Sequence, residues 1–319
     1  MKPAGTVRVL RGGHVESVHR FAWRLHAPDG TVRGGGDLGP VFLRSAAKPF
    51  QALPAVRAGV LERFGLDERH LAVACASHGG DGQHLGRVAE ILLACGAGEA
   101  ALGCGPLAPR DPRAAAALHG PPHRIHHNCS GKHALGLALC VHSGWPTDGY
   151  LGADHPLQRA MCAAILEATG AKSADVVAAV DGCGMRTYAL PLERLAAAFG
   201  ALAGGGLNDA GARVKEAMTM HPALVAFPGA IDAELMAAAP GVVAKIGAEA
   251  VIAFGTPDGR GLAIKVLDGN SRAIDPVAIL CARELLGLAA DTPPLRALAT
   301  PEIRNSRAEV VGRLEATLT

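Results

Sequence analysis

The chain has 319 residues, of which 49% are hydrophobic and 19% charged, so it can bury a sizeable core as one large domain or two closely packed ones. Its 31 basic and 29 acidic residues leave a formal charge of +2. Because these residues are interspersed, the chain lacks the Lys/Arg clusters that are typical of surfaces that bind nucleic acid or membranes. The segment Met1–Phe21 lacks the apolar core of a signal peptide and no long apolar span follows, so we expect a soluble cytoplasmic protein. Its eight cysteines are expected to be thiols, because the cytosol is reducing.

The first half of the chain is predicted to contain two short strands and several helices. Runs of apolar and β-branched residues predict the strands, and apolar residues at helical spacing predict the helices. The strands are expected at Thr6–Leu10 and Leu71–Ala74, and the helices at Phe50–Phe64, His84–Cys95 and Pro156–Thr169.

The second half adds strands close to the C-terminus. These are expected at Val242–Ala244, Ala250–Phe254 and Leu262–Leu267, with the turn Thr256–Gly259 between the last two and a helix at Asp275–Leu286 afterwards. The Ala/Gly-rich stretch Gly200–Gly206 favours a flexible linker or lid. This order predicts an α+β fold whose antiparallel sheet is built from both chain ends and flanked by helices. We expect a single catalytic domain over 1–319, with a mostly helical subdomain at approximately 80–235.

A serine and a lysine stand three residues apart at Ser45 and Lys48, where a strand or turn gives way to a helix. Three residues make nearly one helical turn, so the hydroxyl and the amine can share a face. A serine hydroxyl is a poor nucleophile, but a lysine whose pKa is lowered by burial can take its proton. The pair is a candidate for Ser/Lys catalysis, although the S-x-x-K pattern also occurs by chance.

A glycine-rich segment, Cys75–His84, lies between an apolar run and a predicted helix, a position where substrates often bind. Ser77 and His78 are its candidate site residues. The alternative is that both are turn residues that bond their own backbone.

A second lysine, Lys245, ends a predicted strand and is followed by Gly247, and a glycine there would let a substrate approach the strand edge. In Ser/Lys acyl enzymes, S-x-x-K is followed by a serine motif and then by a Lys-Thr-Gly strand, an order compatible with this chain. Lys265 also lies on a predicted strand, but we prefer Lys245 because it alone precedes a glycine.

Metal-binding side chains are concentrated in His126–His133, and Asp181–Gly184 offers a further thiol in a tight turn. The two cysteines Cys129 and Cys183, with a third donor and water, would make a tetrahedral zinc site with an open position. Spacing leaves the third donor open between His133 and Lys132. The alternative is a pair of isolated buried thiols.

These segments together resemble the asparaginase II family of the rhizobial inducible type, zinc-containing serine L-asparaginases that look like the serine β-lactamase, penicillin-binding protein and class A glutaminase fold. The resemblance covers nearly the whole chain. It is carried by His14–Arg20, Arg44–Pro54, Ser77-His78, His127–Ala134, His155–Gln158, Asp181–Gly184, His221-Pro222 and Lys245–Glu249.

The resemblance implies a β-lactamase-like fold, a homodimer, two catalytic pairs and a zinc site. The residues are Ser45 with Lys48, Ser77 with Lys245, and Cys129, Lys132 and Cys183 on the metal, so that it favours Lys132 over His133. Substrate binding falls to His78, Asp181 and Gly247.

The implied activity is hydrolysis of L-asparagine to aspartate and ammonia through an acyl-enzyme on Ser45, with Lys48 as the base. The choice between Ser45 and Ser77 as the acylated nucleophile stays open. One alternative is a glutaminase or a β-lactam-type hydrolase that uses the same serine. Another is a zinc-dependent amino-acid-binding protein with weak catalysis, because the chain has Gly79-Gly80-Asp81 where the resemblance leads us to expect Ser-Gly-Glu and lacks an expected arginine near residue 230.

Overall fold

The computed structural model describes residues 4–319, which contain eleven β-strands and thirteen α-helices. The strands are β1 (Gly5–Arg11), β2 (His14–His26), β3 (Val32–Gly35), β4 (Val41–Phe42), β5 (Val177–Val180), β6 (Arg186–Leu190), β7 (Val243–Gly247), β8 (Val251–Gly255), β9 (Gly261–Val266), β10 (Glu302–Arg304) and β11 (Val310–Leu318). The helices are α1 (Lys48–Arg57), α2 (Val60–Phe64), α3 (Glu68–Ala74), α4 (Gly82–Ala94), α5 (Pro112–Ala116), α6 (Ser130–Ser143), α7 (Pro156–Thr169), α8 (Leu192–Gly204), α9 (Asp209–Met220), α10 (Pro222–Val225), α11 (Ile231–Ala238), α12 (Ile274–Leu286) and α13 (Pro293–Ala299).

The chain divides into two compact units. The sheet unit comprises the residues up to Ala46, Ala189–Gly206 and Gly229–Thr319, and the helical unit comprises Ala47–Tyr188 and Leu207–Pro228. Helix α8, which the predicted limits of 80–235 include, therefore belongs to the sheet unit.

The sheet unit is built on an antiparallel sheet with the strand order β10-β11-β1-β2-β9-β8-β7, and β3 adds to β2. β1 pairs with both β2 and β11, so the first and last strands of the chain are neighbours. Their register sets the fully buried Val7 and Val9 opposite Ala316 and Leu314. The predicted α+β fold with a sheet from both chain ends is confirmed, and so is the hairpin that joins β8 to β9.

Helix α8 packs on the sheet through glycine. The prediction of a flexible linker or lid at Gly200–Gly206 was therefore wrong. A Cβ on Gly200 would lie 2.5 Å from the carbonyl oxygen of Gly259, and a Cβ on Gly261 would lie 1.8 Å from that of Ala196. The glycines therefore serve a close approach of helix and strand rather than chain flexibility. The helix ends at Gly205, whose φ of 79° is the left-handed conformation typical of a helix C-cap.

The helical unit surrounds α6, whose residues from Ser130 to Cys140 are all buried. Helices α1, α3, α4 and α7 pack against it. At its first turn, a Cβ on Gly131 would lie only 2.2 Å from the carbonyl oxygen of Val73 in α3. This contact brings the N-terminus of α6 against the end of α3, and the two segments carry most of the site described below.

Two predicted elements of the helical unit differ in the structure. Leu71–Ala74 is not a strand but the end of α3, whose first turn is capped by the Asp67 carboxylate through the N–H groups of Arg69 and His70. A four-residue apolar run that is buried on all sides has no period to separate strand from helix. The predicted helix Phe50–Phe64 is interrupted at Gly59, which has a φ of 76°. Over residues 4–319, no helix combines the length and the apolar character needed to cross a bilayer.

Candidate active site

Lys48 is the first residue of α1 and its side chain is 1% exposed. Its Nζ contacts the carbonyl oxygen of Ala76, lies 3.2 Å from Ser77 Oγ and 3.4 Å from the carbonyl oxygen of Asn128. All three partners belong to the helical unit. The structure therefore brings together Lys48 and Ser77, two predicted catalytic residues that we had assigned to different pairs.

The surroundings of Lys48 lower the pKa of its amine. Burial lowers the pKa of Lys48, and the charge of Lys132 acts in the same direction, while the neighbouring Cys129 and Cys183 oppose the shift. A neutral amine has two N–H groups and one lone pair. If the N–H groups donate to the two carbonyl oxygens, the lone pair is left to accept the Ser77 hydroxyl proton, which is the arrangement a general base requires.

Ser77 lies in the loop after α3 and is 1% exposed. Its backbone N–H donates to the carbonyl oxygen of Val225, at 3.0 Å, and the N–H of His78 donates to that of Asn128, at 3.3 Å. The two successive peptide groups on either side of Ser77 are thereby fixed. Neither N–H is left to stabilise an oxyanion.

His78 is fully buried, and its Nε2 lies 2.8 Å from Ser130 Oγ. The Ser130 hydroxyl donates to the carbonyl oxygen of Ile125, so the Nε2–H of His78 is the donor to Ser130. Burial holds the pKa of His78 well below its ordinary value, and the ring stays neutral. The ring thus anchors the start of α6, and its assignment to substrate stays a prediction.

Cys129, Lys132 and Cys183 lie together in the helical unit. Lys132 Nζ is 3.3 Å from Cys183 Sγ, and all three side chains are at most 5% exposed. A hydrogen bond from Cys129 lowers the pKa of Cys183 to about 5, with the Lys132 charge helping and burial opposing. Burial alone would lower the pKa of Lys132, but the neighbouring Cys183 and Cys129 hold it above its ordinary value. Without a metal, the cluster is an ammonium–thiolate pair with a neighbouring thiol.

Asp181 begins the turn that presents Cys183. Its carbonyl oxygen accepts the N–H of Gly184, whose φ is 87°, and its carboxylate accepts the N–H of Gly182. The same carboxylate contributes to the raised pKa of Lys132. Asp181 therefore shapes the turn and adds negative charge, and its predicted contact with substrate stays a prediction.

Cys129, Cys183 and Lys132 together fit a zinc ion, provided that the lysine nitrogen acts as a ligand. Two thiol sulfurs are preferred zinc ligands, and one of them is already ionised near neutral pH. Residues 4–319 contain no cluster of three His, Cys, Asp or Glu side chains placed to hold a metal. The alternative donor, His133, points Nδ1 at the Tyr150 hydroxyl, at 2.6 Å. Its Nε2 has no hydrogen-bond partner within residues 4–319, whereas Lys132 Nζ lies 3.3 Å from Cys183 Sγ, and the preference for Lys132 over His133 stays a prediction.

Ser45 and Gly247 lie in the sheet unit. Ser45 is partly buried in the 3₁₀ turn Arg44–Ala47. A Cβ on Gly247 would lie 2.7 Å from the carbonyl oxygen of Leu43 and 3.4 Å from the N–H nitrogen of Ala46. Gly247 lets β7 approach the turn that carries Ser45, a packing reason for the glycine that we had attributed to substrate.

Lys245 also lies in the sheet unit, where its Nζ is 2.9 Å from Asp232 Oδ2 and both side chains are fully buried. The same Nζ donates to the carbonyl oxygen of Ile246. Sequence reasoning missed Asp232, because an acidic residue in the first turn of a helix is usually a surface feature. Lys265 instead donates to the carbonyl oxygens of Glu249 and Val266. The structure thus gives Lys245 a carboxylate partner, and its role beside Ser77 stays a prediction.

A cleft on the helical unit does not contain these residues. It has a volume of about 580 Å³ and is lined by Arg69, Gly82, Gln83, Gly86, Arg87 and Met220–Leu224. The candidate catalytic side chains of the helical unit lie instead around the buried Lys48 amine.

Comparison with known proteins gives a family match over nearly the whole chain. The family model described as L-asparaginase II matches residues 7–316. No curated protein matches the sequence.

Among solved structures, those of a protein named Mglu are similar to this chain. The native form has 15% identity and a TM-score of 0.38, and the glutamate form has 16% identity and a TM-score of 0.40. Both alignments cover 86% of this chain, but only 66% and 62% of Mglu. The chain therefore spans less than two thirds of the length of that protein. This likeness is too weak to assign a fold family, and the β-lactamase-like assignment stays a prediction.

Proposed function

The chain belongs to the L-asparaginase II family and is therefore an amidohydrolase, and we propose that it hydrolyses the side-chain amide of L-asparagine to aspartate and ammonia. The observation that carries the proposal is the distance of 3.2 Å between Lys48 Nζ and Ser77 Oγ. A buried lysine of lowered pKa within reach of a serine hydroxyl is an arrangement suited to Ser/Lys acyl transfer.

In the first step, Ser77 Oγ attacks the amide carbon while the neutral Lys48 amine takes the hydroxyl proton. The tetrahedral adduct collapses as the C–N bond breaks, and Lys48 returns the proton to the nitrogen, which leaves as ammonia. Water then adds to the acyl-enzyme and gives one proton to Lys48. The bond from carbon to Ser77 Oγ breaks, Lys48 restores the hydroxyl proton, and aspartate is released.

Ser77 takes the place of Ser45 as nucleophile in this scheme, because the Lys48 amine is hydrogen-bonded to Ser77. Ser45 is the alternative nucleophile. The scheme gives no step to Lys245, which is paired with Asp232, and the predicted pair of Lys245 with Ser77 is the alternative.

Zinc is the proposed cofactor, held by Cys129, Lys132 and Cys183. The two sulfurs and the lysine nitrogen lie together and buried, which supports this choice. The bound ion would supply positive charge that orients the substrate rather than activate the nucleophile, since a serine fills that role.

Loss of a proposed zinc ligand is expected to lower the affinity for zinc by more than about 100-fold. Loss of a residue that only hydrogen-bonds to a ligand lowers the affinity by up to about 100-fold, and loss of the ligand itself should lower it further. Lys132→Met and Cys183→Ser should both show this loss, whereas His133→Asn and the control Cys140→Ala should keep the metal. Metal content after dialysis against limiting zinc, measured by plasma mass spectrometry, gives the result. Zinc retained in Lys132→Met but lost in His133→Asn would transfer the ligand role to His133.

The function itself is tested with three substrates. Purified protein is expected to release ammonia from L-asparagine faster than from L-glutamine and to leave a chromogenic β-lactam intact. Faster turnover of L-glutamine or of the β-lactam would favour that alternative. Binding of L-asparagine in calorimetry without any ammonia over hours would identify an amino-acid-binding protein instead.

A further inference from the structure

We propose that Arg110 binds the α-carboxylate of the amino-acid substrate, a role that presupposes the amidase function proposed above. Arg110 precedes α5 in the helical unit and is exposed. Its Nη1 lies 3.4 Å from the carbonyl oxygen of Ser77, and its guanidinium carbon lies 5.8 Å from the centroid of the Phe227 ring. These two contacts hold a positive charge beside the residue whose hydroxyl meets Lys48.

The charge of Arg110 is available to a ligand. Within residues 4–319, its hydrogen bond goes to a main-chain oxygen and it forms no ion pair with a carboxylate. The adjacent Asp111 is 7% exposed, and its carboxylate caps α5 by accepting the N–H of Arg113 at 2.9 Å. A guanidinium has five N–H donors in a planar fork that matches a carboxylate, and here most of them are unused.

The other two basic side chains of the site already have partners. Lys48 is buried against two carbonyl oxygens and the Ser77 hydroxyl, and Lys132 faces the Cys183 thiolate. Neither offers a free charge to a carboxylate. Arg110 is the cation of this group that reaches solvent.

The position of Arg110 relative to Ser77 is fixed by tight packing of two loops. The N–H of Asp111 donates to the carbonyl oxygen of Gly79 at 3.1 Å. A Cβ on Gly79 would lie 2.8 Å from Phe227 Cβ and 3.0 Å from Asp111 Cβ. Because residue 79 is a glycine, the Ser77 loop can pack closely against Phe227 and Asp111. In this position the Phe227 ring also contacts the Arg110 guanidinium.

The distances suit an amino acid with a short side chain. Within one residue the carbonyl oxygen and the hydroxyl are about 3–5 Å apart, which places Arg110 Nη1 within about 8 Å of Ser77 Oγ. In asparagine the carboxylate carbon lies about 4 Å from the amide carbon, and attack occurs from about 3 Å. One molecule can thus present its amide to Ser77 and its carboxylate to Arg110.

Replacement of Arg110 by glutamine tests this role in the full-length protein. In Arg110→Gln, KM for L-asparagine is expected to rise about 10- to 100-fold with kcat nearly unchanged, since a charged hydrogen bond to the resting substrate is lost. KM for L-aspartic diamide, in which a neutral amide replaces the carboxylate, should stay as in the wild type. The matched control Arg113→Gln, an exposed arginine in the same segment, should alter neither value.

Calorimetry with L-aspartate supplies a readout that does not depend on turnover. Wild-type protein should bind L-aspartate, Arg110→Gln should bind it at least about tenfold more weakly, and Arg110→Lys should lie between them. If wild-type protein binds L-aspartate in this pattern but does not hydrolyse L-asparagine, the proposed function is wrong and the carboxylate site stands. Unchanged KM and affinity in Arg110→Gln, or a wild type that binds no L-aspartate, overturns the role of Arg110.

Discussion

Replacement of Ser77 by alanine is expected to lower kcat for L-asparagine by at least about 10³-fold, because it removes the hydroxyl that lies 3.2 Å from the Lys48 amine. The fold should survive, since Lys48 keeps the carbonyl oxygens of Ala76 and Asn128 as partners. Ammonia release at saturating substrate measures the loss, and thermal unfolding of the same sample checks the fold.

Ser45→Ala is the matched comparison, because Ser45 is the serine that sequence spacing associates with Lys48. Rapid quenching during turnover followed by intact-mass measurement should show one aspartyl group on the wild type and on Ser45→Ala, and none on Ser77→Ala. The reverse pattern, with the acyl group lost only in Ser45→Ala, would make Ser45 the nucleophile and Ser77 a supporting hydroxyl.

Replacement of Lys245 by methionine is expected to lower the free energy of unfolding by about 3–5 kcal/mol. The change leaves the fully buried Asp232 carboxylate without its ammonium partner. One oxygen of this carboxylate, Oδ1, already has no hydrogen-bond partner within residues 4–319, and Oδ2 would keep only the N–H of Ile246, at 3.2 Å. Urea denaturation, followed by circular dichroism, measures the difference.

A double variant separates a structural role of Lys245 from a catalytic one. Asp232→Leu combined with Lys245→Met removes both charges and should recover most of the stability, since a buried ion pair and an apolar pair of similar volume often have similar stability. Lys265→Met, which removes only contacts to main-chain oxygens, serves as a control with a smaller effect. If Lys245→Met keeps its stability and loses turnover, the lysine belongs to the catalytic machinery after all.

The antiparallel sheet was predictable because β8 and β9, near one of its edges, are strongly apolar and are separated by a clear turn. β8 is buried throughout, and β9 is buried at all positions but Lys265. β11 was not predicted, because only Leu314 of its nine residues is buried and no alternating pattern appears. Its place beside β1 follows from pairing across the chain ends, which local sequence does not encode.

The site was predictable to the extent that unusual side chains are concentrated in short segments. Cys129 and Lys132 belong to one such segment, and the glycines around Cys183 indicate a turn that presents its sulfur. The contact of Lys48 with Ser77 was missed, because residues this far apart in the chain share no helical spacing. The predicted partner Ser45 is the hydroxyl that local geometry favours, and only tertiary packing brings Ser77 to the amine.

The hydrogen bond from the N–H of Ser77 to Val225 has a consequence for the order of folding. During synthesis, Ser77 leaves the ribosome long before Val225. The N–H of Ser77 therefore cannot form its hydrogen bond until the carbonyl group of Val225 has been synthesised. Closing so long a loop costs entropy, which delays contacts of this kind relative to local ones. We therefore expect the backbone around Ser77, the proposed nucleophile, to become ordered only after α9 and α10 have docked, so that a nascent chain that ends before α10 holds no organised site.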